Sequence, residues 1–195
     1  KGDYDSSIKI LDKGLRSNPN NIFFLNNMGL SYFKKNDIKN AENFYNRALE
    51  IDPTYINVLN NYGNLKKELD LFDEAIEFFS KALLSDENSL ETNYNLATLY
   101  QGLGDYINAI KFFEKVLKIN PIHVNALNNL ANIHRESKDY NTAIKLYNRV
   151  LELDHEITIV HYNLALSYYG VKKTDLAIKH AKIINTIDPN FTQAD

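Results

Sequence analysis

Residues 124–157 read VNALNNLANIHRESKDYNTAIKLYNRVLELDHEI, and this stretch decides the fold. Each half of it spaces its apolar residues three or four apart, which is the period of one face of an α-helix. The residues on the two apolar faces are Leu127, Leu130 and Ala131, then Ala143, Tyr147 and Val150. The stretch therefore predicts two amphipathic helices joined by a short turn.

The same pattern recurs along the chain with a period of 34 residues. All four prolines lie on this period, at Pro19, Pro53, Pro121 and Pro189. Proline cannot continue a helix, so a regular array of repeats places it where each unit ends. Position 20 of the unit is alanine five times, at Ala41, Ala75, Ala109, Ala143 and Ala177. A repetitive helical array explains this regularity.

Counting units from residue 22, we predict a single array over residues 1–195. Its predicted parts are a half repeat at 1–21 with only the second helix, repeats at 22–55, 56–89, 90–123, 124–157 and 158–191, and the start of a truncated repeat at 192–195. We expect helix A at positions 1–14 and helix B at positions 18–31 of each repeat. Because both ends fall inside the repeat, we expect the chain to be part of a longer protein.

Two local features carry further expectations. The turn after helix A falls at position 15. The residue there often adopts the left-handed conformation, for which Gly, Asn and Asp are the preferred residues. Lys138 and Lys172 occupy that position in the last two repeats, so we expect those turns to be strained or differently shaped. Glu87 and His155 replace the proline in two repeats, so helix B must end there by other means.

The composition narrows the classes of function. The chain is 44% hydrophobic, which excludes a disordered protein, and it has no apolar run long enough to insert into a membrane. A net charge of −3 argues against nucleic acid as a partner. The absence of cysteine excludes disulfides and thiol catalysis and is compatible with a cytoplasmic or nuclear location.

The pattern resembles the tetratricopeptide repeat family over essentially the whole chain. The resemblance rests on the small residues at positions 8 and 20 and the apolar residues at 7, 24 and 27. It implies an all-α solenoid of about five and a half repeats, wound as a right-handed superhelix of antiparallel helix pairs. Helix A would line its concave side. The aromatic residue that the family carries at position 4 is missing, since Leu25, Leu59, Asn93, Leu127 and His161 stand there.

Asparagine occupies position 6 of every complete repeat. We call these five residues the asparagine ladder: Asn27, Asn61, Asn95, Asn129 and Asn163. On a helical wheel the ladder lies opposite the core positions, so we expect an exposed polar surface. Further candidates beside it are Asn57, Asn60, Asn64, Asn125, Asn128, Asn132, Tyr94 and Tyr162. An asparagine-rich composition and repeat duplication are the alternative explanations for the ladder.

An asparagine amide has both a donor and an acceptor, so it can pair with a peptide backbone without reading side chains. The ladder resembles the asparagine-lined groove of the O-linked N-acetylglucosamine transferase family, with the closest local match in NALNNLANI at residues 125–133. That resemblance implies a binding mode. The basic clamp of chaperone-binding tetratricopeptide domains is absent, because position 5 is Asn or Tyr throughout.

No set of residues assembles a nucleophile, base and oxyanion site, and the five histidines lack a recurring third ligand. We therefore predict a non-catalytic module that binds a protein or peptide, with no cofactor and no metal. One alternative is the substrate-recruiting region of a larger, glycosyltransferase-like enzyme. Another is a scaffold that forms end-to-end homo-oligomers through its uncapped ends.

Overall fold

A computed structural model describes residues 3–191 of the chain, which contain eleven α-helices and no strand. The predicted start of a further repeat at residues 192–195 lies outside the described residues. The helices are α1 (Tyr4–Ser17), α2 (Ile22–Lys34), α3 (Ile38–Ile51), α4 (Ile56–Glu68), α5 (Phe72–Ser85), α6 (Leu90–Gly102), α7 (Tyr106–Ile119), α8 (Val124–Glu136), α9 (Tyr140–Leu153), α10 (Thr158–Gly170) and α11 (Thr174–Ile187).

The even-numbered helices are the predicted A helices, and each begins 34 residues after the previous one. The B helices begin one residue earlier than the sequence predicts, at position 17 of the unit. Within the two units, an A helix packs on the B helix that follows it in the pairs α2–α3, α4–α5, α8–α9 and α10–α11. The prediction of an all-α fold built from helix pairs is confirmed, while the repeat boundaries stay a prediction.

The chain divides into two compact units, residues 1–99 and residues 100–195. In the first unit, Tyr45 and Leu25 are fully buried in a core that α1 to α4 share. In the second unit, α10 packs on both α8 and α9, and Leu127, Tyr147 and Leu164 are fully buried. Each such side chain contributes about 1.5–3 kcal/mol when removed from water, so the apolar positions of the repeat supply the stability.

Small residues at position 8 allow the helices of a pair to approach closely, as expected. A Cβ atom built on Gly29 would lie 2.5 Å from the Tyr45 ring, and one on Gly63 would lie 2.7 Å from the Phe79 ring. Real Cβ atoms are not found so close to ring carbons. The ring at position 24 therefore occupies the space that a side chain at position 8 would need.

In all five turns after the A helices, the residue at position 15 adopts the left-handed conformation. The φ angles are 62° at Asn36, 58° at Asp70, 74° at Gly104, 63° at Lys138 and 62° at Lys172. Of the two alternatives expected for the lysine turns, the strained turn is found and the different shape is not. The lysines accept a conformation that costs an L-residue other than glycine roughly 1–2 kcal/mol, because the packed helices on either side fix the turn.

The B helices end at an Asp or Asn at position 31, whether or not proline follows. The side-chain oxygen accepts a hydrogen bond from the backbone N–H two residues later, at 2.8 Å for Asp52, 2.9 Å for Asp86 and 3.0 Å for Asp154. Such an Asx turn offers the chain an alternative to the helix. It explains how α5 and α9 end where Glu87 and His155 replace proline.

Candidate peptide-binding surface

Helix α4 carries asparagines along one face, at Asn57, Asn61 and Asn64. The spacing i, i+4, i+7 places them one above the other on the helix. Asn57 is exposed, whereas Asn61 and Asn64 are half-buried. We call these three residues the α4 asparagine face. Asn60, predicted beside them, is only 2% exposed and belongs to the packed interior of the first unit.

Helix α8 repeats this arrangement in the second unit. Asn125, Asn129 and Asn132 have the same spacing and form the α8 asparagine face. Asn125 is exposed, and Asn129 and Asn132 are half-buried, as is the adjacent Asn128. The two units thus each have one helix that presents a graded row of amides, from exposed at its first turn to half-buried further along.

Hydrogen bonds link asparagines of successive A helices. In the first unit, Nδ2 of Asn61 donates to Oδ1 of Asn26 at 2.9 Å, which joins α4 to α2. In the second unit, Nδ2 of Asn163 donates to Oδ1 of Asn132 at 3.2 Å, which joins α10 to α8. These amides therefore stabilise the packing of neighbouring A helices and hold each other in fixed orientations.

The expectation of a uniformly exposed ladder is wrong. Asn163 is only 6% exposed, and Asn27, Asn61, Asn95 and Asn129 are half-buried. The reason is that an A helix packs on its own B helix and also on a neighbouring A helix, as α2 does on α4 and α8 on α10. A helical wheel that assumes one buried face for each helix does not account for the neighbouring A helix.

The ladder residues also differ from one another in their bonds. Asn27 donates to the backbone oxygen of Phe23 on its own helix at 2.7 Å. Within residues 3–191, Nδ2 of Asn95 and Oδ1 of Asn60 are buried without a hydrogen-bond partner. The five amides are therefore not five equal sites.

Tyr147 extends the amide network of the second unit into the core. Its hydroxyl donates to Oδ1 of Asn132 at 2.6 Å, and burial raises the pKa of the phenol to about 12. Tyr45 is the equivalent residue of the first unit, and its hydroxyl is buried without a partner in the described part of the chain. The difference follows from position 9, which is Asn132 in one repeat and Leu30 in the other.

The tyrosines predicted beside the ladder are both half-buried. Tyr94 lies on α6, and Tyr162 lies on α10 with its ring centroid 6.0 Å from that of Phe191. Two exposed apolar side chains at position 2 were not predicted: Phe23 is 60% exposed and Ile159 is 39% exposed. The sequence contains a signal for these two residues, because position 2 is apolar in α2 and α10 but polar in α4, α6 and α8.

A buried lysine was also missed at position 11 of α4. Nζ of Lys66 lies 2.7 Å from Oε1 of Glu42 and 2.8 Å from Oε2 of Glu74. Burial lowers the pKa of Lys66, but the two carboxylates outweigh it, so the pKa is raised above that of an ordinary lysine. These two ion pairs join α4 to α3 and to α5. They are contacts between charged groups, whereas the asparagine faces consist of neutral amides.

The histidines at the end of the second unit form a contact of their own. His161 is 5% exposed; its Nε2 donates to the backbone oxygen of His155, and its Nδ1 lies 2.9 Å from Nδ1 of His180. With Nε2 protonated, neutral His161 accepts a hydrogen bond from Nδ1–H of His180. Among the described residues, no group of three His, Cys, Asp or Glu side chains is placed to hold a metal ion.

Comparison with known families assigns the repeat. A family model described as tetratricopeptide repeat matches residues 54–120 and 88–154, and a second model of the same description matches residues 22–55. The chain belongs to the tetratricopeptide repeat family. The matched residues include both asparagine faces, so these faces lie on the A helices of tetratricopeptide repeats.

Solved structures of several other proteins have the same fold. MamA is 20% identical, with a TM-score of 0.78, over 89% of this chain and 98% of its own. YrrB, described as a TPR protein with an unusual peptide-binding site, is 20% identical, with a TM-score of 0.77, over 92% and 93%. PilF of Pseudomonas aeruginosa is 18% identical, with a TM-score of 0.80, over 96% and 93%. These identities show a common fold.

Two further comparisons complete the description of this tetratricopeptide repeat protein. No curated protein matches its sequence significantly. Among residues 3–191, no helix is both long enough and apolar enough to span a bilayer. Tetratricopeptide repeats are in general modules that bind proteins or peptides, and that general role is the one the family assignment supports.

Proposed function

We propose that this protein is a non-catalytic module that binds an extended peptide through an asparagine face, that of α4 in the first unit or that of α8 in the second. The observation that carries the proposal is the matching row of amides on these two helices, exposed at Asn57 and Asn125 and half-buried beyond them. An exposed asparagine amide can accept from a peptide N–H and donate to a peptide C=O, whereas Asn132, whose oxygen already accepts from Tyr147 and Asn163, would only donate. Such a surface recognises the backbone of a ligand more than its side chains.

The hydrogen bonds between asparagines of neighbouring A helices fix the orientation of the amides on this surface before a ligand binds. Asn61 and Asn132 are held by Asn26 and Asn163, so their amides do not have to be ordered when a ligand arrives. Fixing a side chain on binding otherwise costs about 0.5–1.5 kcal/mol. In this proposal the buried Asn163 positions Asn132, Asn60 belongs to the packed interior, and the more accessible amides contact the peptide.

The remaining candidates have supporting roles in the proposal. Asn27, Asn95 and Asn128 extend the amide surface at its edges, and Tyr94 and Tyr162 supply apolar contact for ligand side chains. Within one unit, neighbouring A helices lie about 10 Å apart and an extended peptide advances about 3.3 Å per residue, so the amides of successive A helices would meet roughly every third peptide residue.

Alanine variants of the exposed asparagines test the proposal. A peptide that binds the protein is selected from a phage-displayed library of unstructured peptides, and its affinity is measured by fluorescence anisotropy. Asn57→Ala or Asn125→Ala, according to the unit that the peptide occupies, is expected to weaken binding about fivefold, the effect of one hydrogen bond of about 1 kcal/mol.

Asn43→Ala and Asn141→Ala are matched controls, because both asparagines are exposed and lie on B helices. They are expected to leave affinity unchanged. If the library yields no binder, or if the control variants lose as much affinity as Asn57→Ala and Asn125→Ala, the proposal is wrong.

A further inference from the structure

Two apolar side chains on α2 have no role in the core of the first unit. Phe23 is 60% exposed, and Leu30 is half-buried. Phe33 continues their row along the helix and packs against the core, whereas neither Phe23 nor Leu30 is among the described residues that do so. Contact with another molecule would remove this apolar surface from water, which is favourable.

The exposure of this row is set by its positions on the A helix. In α2, position 2 is exposed and positions 6, 9 and 12 are half-buried, and α4 and α8 have the same exposure at the same four positions. In α4 these residues are Asn57, Asn61, Asn64 and Lys67. Helix α4 packs on the A helix that precedes it, α2, and its row is still accessible. The exposure of Phe23 therefore does not depend on whether an A helix packs before α2.

The apolar row of α2 adjoins the α4 asparagine face. Nδ2 of Asn61 on α4 donates to Oδ1 of Asn26 on α2 at 2.9 Å. The next residue, Asn27, lies between Phe23 and Leu30 in the α2 row, and its Nδ2 donates to the backbone oxygen of Phe23 at 2.7 Å. The first unit thus combines a row of amides on one helix with a pair of apolar side chains on its neighbour.

We infer that the first unit binds extended peptides that carry one large apolar side chain, and that this side chain lies on α2 between Phe23 and Leu30. The inference rests on the proposed function, because it requires the α4 asparagine face to hold the peptide backbone. Phe23 and Leu30 are seven residues apart, which is about 10 Å along the helix and leaves room for one aromatic or branched side chain above Asn27.

The spacing of the two helices fixes where that residue stands in the peptide. Neighbouring A helices lie about 10 Å apart, and an extended peptide advances about 3.3 Å per residue. The apolar residue is therefore expected about three residues from the peptide group that contacts the α4 asparagine face. The asparagines would hold any peptide backbone, and the apolar pair would select among peptides.

Peptides selected from the phage-displayed library against the 195-residue chain provide the probes. They are labelled with fluorescein, and fluorescence anisotropy identifies those that Asn57→Ala weakens. Each of these peptides is expected to contain one large apolar residue whose replacement by alanine weakens binding about tenfold. N-methylation about three residues away should also weaken binding.

Variants of the apolar pair test where that side chain lies. Phe23→Ala and Leu30→Ala are each expected to weaken binding about fivefold to tenfold, and the alanine-substituted peptide should lose little more when either variant is present. Leu84→Ala is the matched control, because Leu84 is 89% exposed on the B helix α5. Phe23→Asn combined with Leu30→Asn gives α2 the residues that α4 has at these positions, and should abolish the preference for the apolar residue. Circular dichroism establishes that the variants fold.

Full affinity of both Phe23→Ala and Leu30→Ala for peptides that Asn57→Ala weakens would overturn the inference and leave the proposed function intact. The inference is also wrong if every selected peptide depends on Asn125 and none on Asn57. Peptides that depend on neither asparagine would contradict the proposed function, and the inference with it. Sedimentation velocity that shows a dimer which Phe23→Ala dissociates would overturn the inference too, because the occupant would then be a second copy.

Discussion

Tyr147 donates a 2.6 Å hydrogen bond to Oδ1 of Asn132, whereas Tyr45, at the same position of an earlier repeat, has a buried hydroxyl without a partner within residues 3–191. The two repeats differ at position 9, which is Asn132 in the repeat of Tyr147 and Leu30 in the repeat of Tyr45. This difference explains why, of the two, only Tyr147 has a partner for its hydroxyl among the residues described. Two tyrosines at the same repeat position therefore differ in whether their buried hydroxyl is hydrogen-bonded.

Phenylalanine substitutions at these two tyrosines test that difference. Tyr147→Phe is expected to lower the free energy of unfolding by about 1 kcal/mol, because a hydrogen bond is lost and Asn132 keeps only its bond from Asn163. Tyr45→Phe is expected to leave stability unchanged or to raise it, because it removes a polar group that was buried unpaired. Urea denaturation measures both, and equal losses would contradict the assignment.

Replacing the two lysines that have a positive φ angle should stabilise the protein. Lys138→Gly and Lys172→Gly should each raise the free energy of unfolding by roughly 0.5–1 kcal/mol, because glycine adopts a positive φ without strain. Gly104→Lys is the matched reverse variant and should lower it by a similar amount. Thermal denaturation of the three variants gives the answer, and stabilisation by Gly104→Lys would show that turn strain does not matter here.

The buried ion pair predicts an asymmetry between its members. Glu42→Gln together with Glu74→Gln leaves the Lys66 ammonium buried without charged partners and should cost about 2 kcal/mol or more. Lys66→Met should cost less, because both carboxylates are partly exposed and remain hydrated. Chemical denaturation at neutral pH distinguishes the two cases. A larger loss in Lys66→Met would mean that the lysine chain packs in a way the ion pair does not explain.

His180 predicts a loss of stability in mild acid. Burial, with smaller contributions from His161 and Lys179, lowers its pKa below that of an ordinary histidine. The unfolded chain therefore binds this proton first, so the stabilisation is complete above about pH 6.5 and is lost as the pH falls through the folded-state pKa. The Tyr168 ring stacks on the His180 ring, with centroids 5.6 Å apart.

The measurement is the melting temperature at about pH 7.5 and about pH 5.5, on either side of the ordinary histidine pKa. His180→Gln should show a smaller difference between the two temperatures than the wild-type chain. An undiminished difference would assign the acid sensitivity to other groups.

The sequence pattern predicted the helices well because their period and their small residues are local and repeated. The starts of the A helices follow directly from the 34-residue period. The ends of the B helices are also encoded locally, since Asp or Asn stands at position 31 in every repeat and forms an Asx turn at Asp52, Asp86 and Asp154, with or without proline after it. The boundaries of the repeats and the end segments stay predictions.

The candidate surface was less predictable, because burial of an A helix depends on two neighbours. Asn57 and Asn125 are exposed as expected, whereas Asn60 and Asn163 are not. Which amides bond to each other depends on side-chain geometry: Asn61 bonds to Asn26, while Asn163 bonds to Asn132 instead of the adjacent Asn128. A period of 34 residues does not encode that choice.

Backbone methylation of a bound peptide tests the central claim most directly. A peptide selected for binding is synthesised as a series in which one amide nitrogen at a time is N-methylated, and as a parallel alanine series. The account predicts that N-methylation weakens binding strongly at roughly every third residue, whereas most alanine substitutions have little effect. Uniform tolerance of N-methylation, with binding abolished by alanine substitution, would show that the asparagine faces do not hold the peptide backbone.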